Sequence, residues 1–128
     1  MYQEDWLLRQ IENMIRTVVR IIFKKDDINY RINEENYTKT DLLYKQILEL
    51  LKELKINEAE NLLFESIDSD DQNYLKIALD FYQRLNKLSD EELEKGNFTR
   101  EEISLGIEDV LKEFNIYIPY LDKMKKDI

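Results

Sequence analysis

Cysteine and histidine are absent from these 128 residues; glycine occurs twice, proline once, and alanine only at Ala59 and Ala78. Without cysteine there is no disulfide, no thiolate zinc site and no thiol nucleophile. Without histidine the chain lacks the commonest general base, the commonest metal ligand and the side chain that switches near neutral pH. Two glycines cannot build a phosphate-cradling loop, and no Gly-Lys-Ser/Thr run occurs. Most hydrolase, metalloenzyme and nucleotide-binding templates fall away together. No stretch approaches the ~18 apolar residues of a membrane span. Glu4, Asp5, Arg9, Glu12, Arg16, Arg20, Lys24 and Lys25 interrupt any apolar core of a secretion signal. The expected location is the cytoplasm.

What the chain has is charge. Asp and Glu number 28 against 19 Lys and Arg, for a formal net charge of −9. That balance argues against nonspecific nucleic-acid binding, which needs a cationic surface to release phosphate counterions. The charge is unevenly spread: residues 1–25 carry a net +2 and residues 26–128 a net −11. The length fits one domain that buries roughly two-thirds of its unfolded surface, and we read residues 1–128 as a single helical unit.

Residues 3–25 predict a long amphipathic helix. At 100° per residue, Leu7, Leu8, Ile11, Met14, Ile15, Val18, Val19, Ile21 and Ile22 share one arc of about 160°. Arg9, Arg16 and Arg20 lie opposite, within about 40° of one another, with Lys24 nearby. Trp6 and Phe23 flank the apolar arc at its two ends.

Residues 26–37 predict a connector, because Asp26-Asp27 breaks the period and Ile28, Tyr30 and Ile32 alternate with polar residues. A helical body over residues 38–115 follows. Thr38-x-x-Asp41, Ser89-x-x-Glu92 and Thr99-x-x-Glu102 each offer a capping oxygen, an acid at the third helical position and an apolar pair around them. Asn57-x-x-Glu60 and Ser69-x-x-Gln72 are starts of the same kind, so five helices are expected after the first. Their apolar faces hold Leu43, Ile47, Leu50, Leu51 and Leu54; then Ala59, Leu62, Leu63 and Ile67; then Tyr74, Leu75, Ala78, Leu79, Tyr82 and Leu85. Leu93 anchors a single turn, and Ile103, Ile107, Val110, Leu111 and Phe114 complete the series. Gly96-Asn97 predicts a left-handed helix stop. Gly106 inside the last helix costs about 1 kcal/mol relative to Ala and signals the close approach of a neighbour. Pro119 ends regular structure; residues 116–128 read as an extended C-terminal tail, mobile over Asp122–Ile128. The class is all-α: a long amphipathic N-terminal helix followed by antiparallel helical hairpins, as a bundle or a tetratricopeptide-like array.

Residues Leu43–Ser66 resemble one tetratricopeptide-type unit, with Leu43, Leu50, Ala59 and Leu63 at the interlocking apolar and small positions. Ile47 stands where that family places Gly or Ala, and no Pro follows the second helix. The opening Glu4-Asp5-Trp6-Leu7-Leu8-Arg9-Gln10-Ile11-Glu12-Asn13-Met14-Ile15-Arg16 is similar to the start of an uncharacterised family of small acidic proteins from low-GC Gram-positive bacteria. That resemblance implies an all-helical body and no assigned activity.

Carboxylates are the remaining route to catalysis. Glu65-x-x-Asp68 has no Glu-x-x-Glu upstream at the spacing that Mg²⁺-dependent all-α pyrophosphohydrolases use, and Glu91-x-x-Glu94 stands in the wrong order. Asp68–Gln72 lacks the Gly and Glu of a calcium loop, Asn73 and Leu79 standing there instead. Among the eight tyrosines, Tyr44, Tyr74 and Tyr82 fall on or beside apolar helix faces and are expected at the core edge. No catalytic residue, cofactor or metal is therefore expected. The first helix is the functional candidate, with Trp6, Leu8, Arg9, Ile11, Ile15, Arg16, Val18 and Ile22 as possible interface residues. Its apolar face must be covered: by the rest of the chain, by a second copy or protein partner, or by an anionic membrane surface, the last the least favoured. The expected function is a non-catalytic helical interaction or scaffold protein whose first helix contributes to packing or homodimerisation. The alternative is a carboxylate-dependent enzyme or small-ligand-binding protein using a groove between helices.

Overall fold

In the computed structural model, residues 2–26, 28, 30–32 and 34–119 are described, with side chains from Trp6 onward. Helix α1 spans Tyr2–Val18 and runs into a π-helical turn at Val19–Phe23, which Lys24 closes in the left-handed region (φ 55°). After the connector come α2 (Lys39–Lys52), α3 (Ile56–Ser66), α4 (Gln72–Asn86), α5 (Asp90–Lys95) and α6 (Arg100–Glu113). No strand occurs among the described residues.

The helix starts obey local chemistry where a hydroxyl leads. Thr38 and Ser89 form complete capping boxes with Asp41 and Glu92, and the Thr99 hydroxyl accepts from the Glu102 amide. Two expected caps fall elsewhere. Helix α3 begins after Lys55 with no side-chain cap, and Asn57 lies inside its first turn, donating from Nδ2 to the Asn97 carbonyl at 3.1 Å. Helix α4 is capped by Asp71, whose Oδ1 accepts from the Asn73 amide at 2.9 Å, rather than by Ser69. Asp68 instead turns the chain just before it, accepting from the Asp70 amide.

Three helix ends share one device. Behind α2, α5 and α6 the amide two residues past the cap returns to a carbonyl of the last turn: Lys55 to Leu50, Phe98 to Leu93 and Ile116 to Leu111. The left-handed residue in these three stops is Leu54, Asn97 or Asn115, not glycine. Gly96 has an ordinary φ (−81°); its bare α-carbon leaves room for the Ile56 side chain, which a Cβ there would strike.

Helix α4 is the hub, packed against α1, α2 and α6, while α1 also lies on α6 and α2 on α3. Ile77 and Phe81 are therefore buried beside the expected Leu75, Ala78, Leu79, Tyr82 and Leu85, since a helix contacted on several sides is apolar nearly all round. Gly106 meets the hydroxyl end of the Tyr82 side chain, the close approach its position signalled. In the connector, Ile28 is buried and Tyr30 and Ile32 are half-buried, so the apolar residues of the alternation pack against the core. Within the described part of the expected tail, Ile118 is buried (8% exposed) and Ile116 packs on the core. The segment expected to be mobile, Asp122–Ile128, lies outside the described residues. No helix among the described residues is long and apolar enough to cross a membrane.

Candidate functional site

The apolar arc of α1 is consumed within the chain. Ile11 and Val18 are fully buried and Ile15 is 5% exposed, all part of the common core. Those three possible interface residues cannot form a free contact surface, because intramolecular packing on α4 and α6 already covers them. Leu8, Trp6 and Ile22 sit half-buried at the margins. Ile21, expected on the buried arc, is 53% exposed. The π-helical turn widens the helix by one residue per turn and rotates that side chain outward.

Arg9, Arg16 and Arg20 remain exposed on the outer face of α1. Arg20 reaches Asp26 at 3.6 Å across open solvent, an exposed pair of little energetic weight. Of the possible interface residues, Ile11, Ile15 and Val18 are thus covered within the chain, while Trp6, Leu8 and Ile22 are half-buried and Arg9 and Arg16 are exposed beside Glu12.

A second surface lies on the far side of α6. Between α3 and α6 a groove of about 320 Å³ is lined by Glu60, Asn61, Phe64, Glu102, Leu105, Gly106 and Asp109. Gly106, one of its lining residues, lets the Tyr82 side chain come against the α6 backbone. The buried Tyr82 hydroxyl donates to Glu60 Oε2 at 2.7 Å. Burial raises the Glu60 pKa above the ordinary carboxylate value; the Tyr82 hydrogen bond opposes this, and repulsion from Glu102 and Asp109 adds to it. Burial, then the bond to Glu60, pushes the Tyr82 hydroxyl strongly up, so it stays protonated. Leu105 is 54% exposed at the rim and Phe64 is half-buried. The groove therefore sets exposed Leu105 and half-buried Phe64 among three carboxylates, Glu60, Glu102 and Asp109.

Other polar clusters are structural. Arg100 is buried, its guanidinium donating to the carbonyls of Asn86 and Leu88, both at 2.8 Å, to Asn86 Oδ1 and to Asp90. Asn86 Nδ2 then donates to the Leu8 carbonyl at 2.9 Å, tying the end of α4 to α1 and α6. Arg84 joins Asp80 (2.9 Å) to the Tyr44 hydroxyl (2.9 Å). The Tyr30 hydroxyl donates to Asp41 Oδ1 at 2.6 Å and lies 2.8 Å from the Thr40 hydroxyl; burial and the Asp41 carboxylate push its pKa up to about 12. These pairs fasten the connector and helix ends.

Among the described residues, no three carboxylates converge closely enough to hold a metal ion. Glu65 belongs to α3 and Asp68 to the following turn, while Glu91 and Glu94 are exposed on the six-residue α5. Tyr44 and Tyr82 are buried and Tyr74 is half-buried, at core and core-edge positions.

The model of a family of unknown function, DUF6483, matches residues 1–115. The chain belongs to that family. For DUF6483 the match takes in both surfaces, the α1 outer face and the α3–α6 groove. Comparison with curated proteins and with solved structures finds no significant match. Nothing in single-sequence reading brought Glu60, Glu102, Leu105 and Asp109 together, since α3 and α6 are some forty residues apart. The available signal was Gly106, which announced a close neighbour without naming it.

Proposed function

We propose that this DUF6483 protein is a non-catalytic helical interaction or scaffold protein of the cytoplasm, acting by protein contact. One observation carries the reading: the surface is segregated into an exposed Arg9–Arg16–Arg20 row and a groove whose exposed Leu105 is framed by Glu60, Glu102 and Asp109. Aromatic, apolar and guanidinium groups set among opposite charges are the chemistry of protein contact surfaces. In this reading α2 and α3 act as one tetratricopeptide-like hairpin of a helical array. The six-residue α5 stands where a second such unit needs a full helix.

The test is photo-crosslinking in living cells with the full chain. A photoreactive residue replaces Leu105 or Arg9 in turn, and exposed Lys39 serves as the control position. Protein adducts of defined mass at positions 105 and 9, absent at 39, support the reading; no adduct at either position overturns it.

A second reading, a small-ligand site or carboxylate-dependent enzyme in the same groove, is favoured by the half-buried Glu60 with its raised pKa. A ligand of the native state raises the melting temperature. Divalent ions, nucleotides and organic amines that all leave it unchanged remove this reading.

A further inference from the structure

Within one molecule the Arg row and the carboxylate groove cannot meet. Helix α1 turns its apolar arc toward α4 and α6 and leaves Arg9, Arg16 and Arg20 exposed, Arg16 standing with Glu12, Asp26 and Lys87 around a pocket between α1, the connector and α4. The groove opens on the α3 side of α6. Both surfaces are exposed, and they are complementary in charge and in spacing. Glu102 and Asp109 are seven residues apart on α6, and Arg9 and Arg16 are seven apart on α1. Seven residues are two helical turns, about 10 Å of rise, and return a side chain to nearly the same face. A helix laid along α6 with Arg9 over one carboxylate therefore brings Arg16 over the other.

Resting on the interaction reading above, we infer that the partner of the α3–α6 groove is the α1 outer face of a second copy of this chain. The guanidinium groups pair with Glu102 and Asp109, and the arginine stems lie on Leu105 and Phe64. Guanidinium suits such a site, because its planar fork matches a carboxylate while its methylenes cover apolar surface. The charge distribution agrees: a +2 segment meets a −11 body even though the whole molecule carries −9. The contact joins two different surfaces, so it is heterologous and builds head-to-tail chains or rings.

The experiment measures mass by light scattering on the full 15.6 kDa chain as a function of concentration up to several hundred micromolar. Wild type is expected to grow beyond the protomer. Arg9→Glu/Arg16→Glu blocks one surface and Glu102→Gln/Asp109→Asn the other. All four positions are exposed, so circular dichroism and melting temperature confirm that each variant is folded. Leu105→Lys provides an independent block of the groove, because it sets a like charge against the incoming guanidinium groups. Each variant is expected to remain a protomer. An equimolar mixture of the two charge variants still holds one intact α1 face and one intact groove, so its mass doubles and goes no further. A wild type that stays a protomer throughout overturns the inference, as does assembly unaffected by the variants or a mixture that fails to pair. If wild type is a protomer while positions 9 and 105 still crosslink to other proteins, this inference fails and the interaction reading stands. Loss of both signals removes both.

Discussion

Gly106 shows how one missing methyl shapes a surface. A Cβ there would fall on the Tyr82 ring, which is fully buried and tied by its hydroxyl to Glu60. Gly106→Ala gains about 1 kcal/mol of helix propensity but overpacks the contact with Tyr82, which costs typically 1–3 kcal/mol. Urea denaturation is expected to show a net loss. Glu60 carries a pH signature of the opposite kind. Its folded pKa is raised, so its contribution to stability is fully present below the ordinary glutamate value of 4.5 and is lost as pH rises through the folded pKa. Glu60→Gln keeps an acceptor for the Tyr82 hydroxyl and removes the buried charge. Its melting temperature is expected to match wild type near pH 4 and to exceed it increasingly toward pH 7. Arg100 is the converse, a buried cation whose partners are two carbonyls, Asn86 and Asp90. Arg100→Ala strands those acceptors and is expected to cost about 3 kcal/mol by the same denaturation measurement. The buried, partnered role of Arg100 was not legible in the sequence, where it reads as one more charge at a helix start.

Helix α1 separates what periodicity predicts from what packing chooses. Its amphipathic arc was plain from spacing alone, and the buried Leu7, Ile11, Met14, Ile15, Val18 and Val19 follow it. Spacing could not say whether the cover would be this chain, a second copy or a lipid surface, because all three offer the same apolar environment. Nor could it foresee the π-helical turn that swings Ile21 outward. With Ile15 5% exposed, Ile15→Arg places an unpaired charge in the core. Circular dichroism is expected to show lost helicity and a collapsed thermal transition, not a clean change of mass. Helix boundaries were legible where a hydroxyl caps and an acid stands three residues later, as at Thr38, Ser89 and Thr99. They were not legible at Lys55 and Asp71, where the turn before the helix chooses the start. The stop after α5 depends on Asn97 in the left-handed region. Asn97→Ala is expected to lower stability by about 1 kcal/mol in a urea titration, and Asn97→Gly to preserve it.

In the molecule as a whole, two surfaces share one helical body, one cationic and one anionic. Composition was enough to exclude thiol, imidazole and phosphate-loop chemistry, since no arrangement supplies groups the chain does not contain. Hydrophobic period and capping chemistry were enough for the all-α class, because both are local properties of consecutive residues. The cationic row was legible for the same reason: Arg9, Arg16 and Arg20 share a face through helical geometry alone. The groove was not. Glu60 and Phe64 meet Glu102, Leu105 and Asp109 because α4 holds α6 at the distance set by Tyr82 against Gly106, a contact between residues 24 apart in the chain. Which helix face finds which partner is settled by shape and volume across the core, and a one-dimensional pattern carries neither.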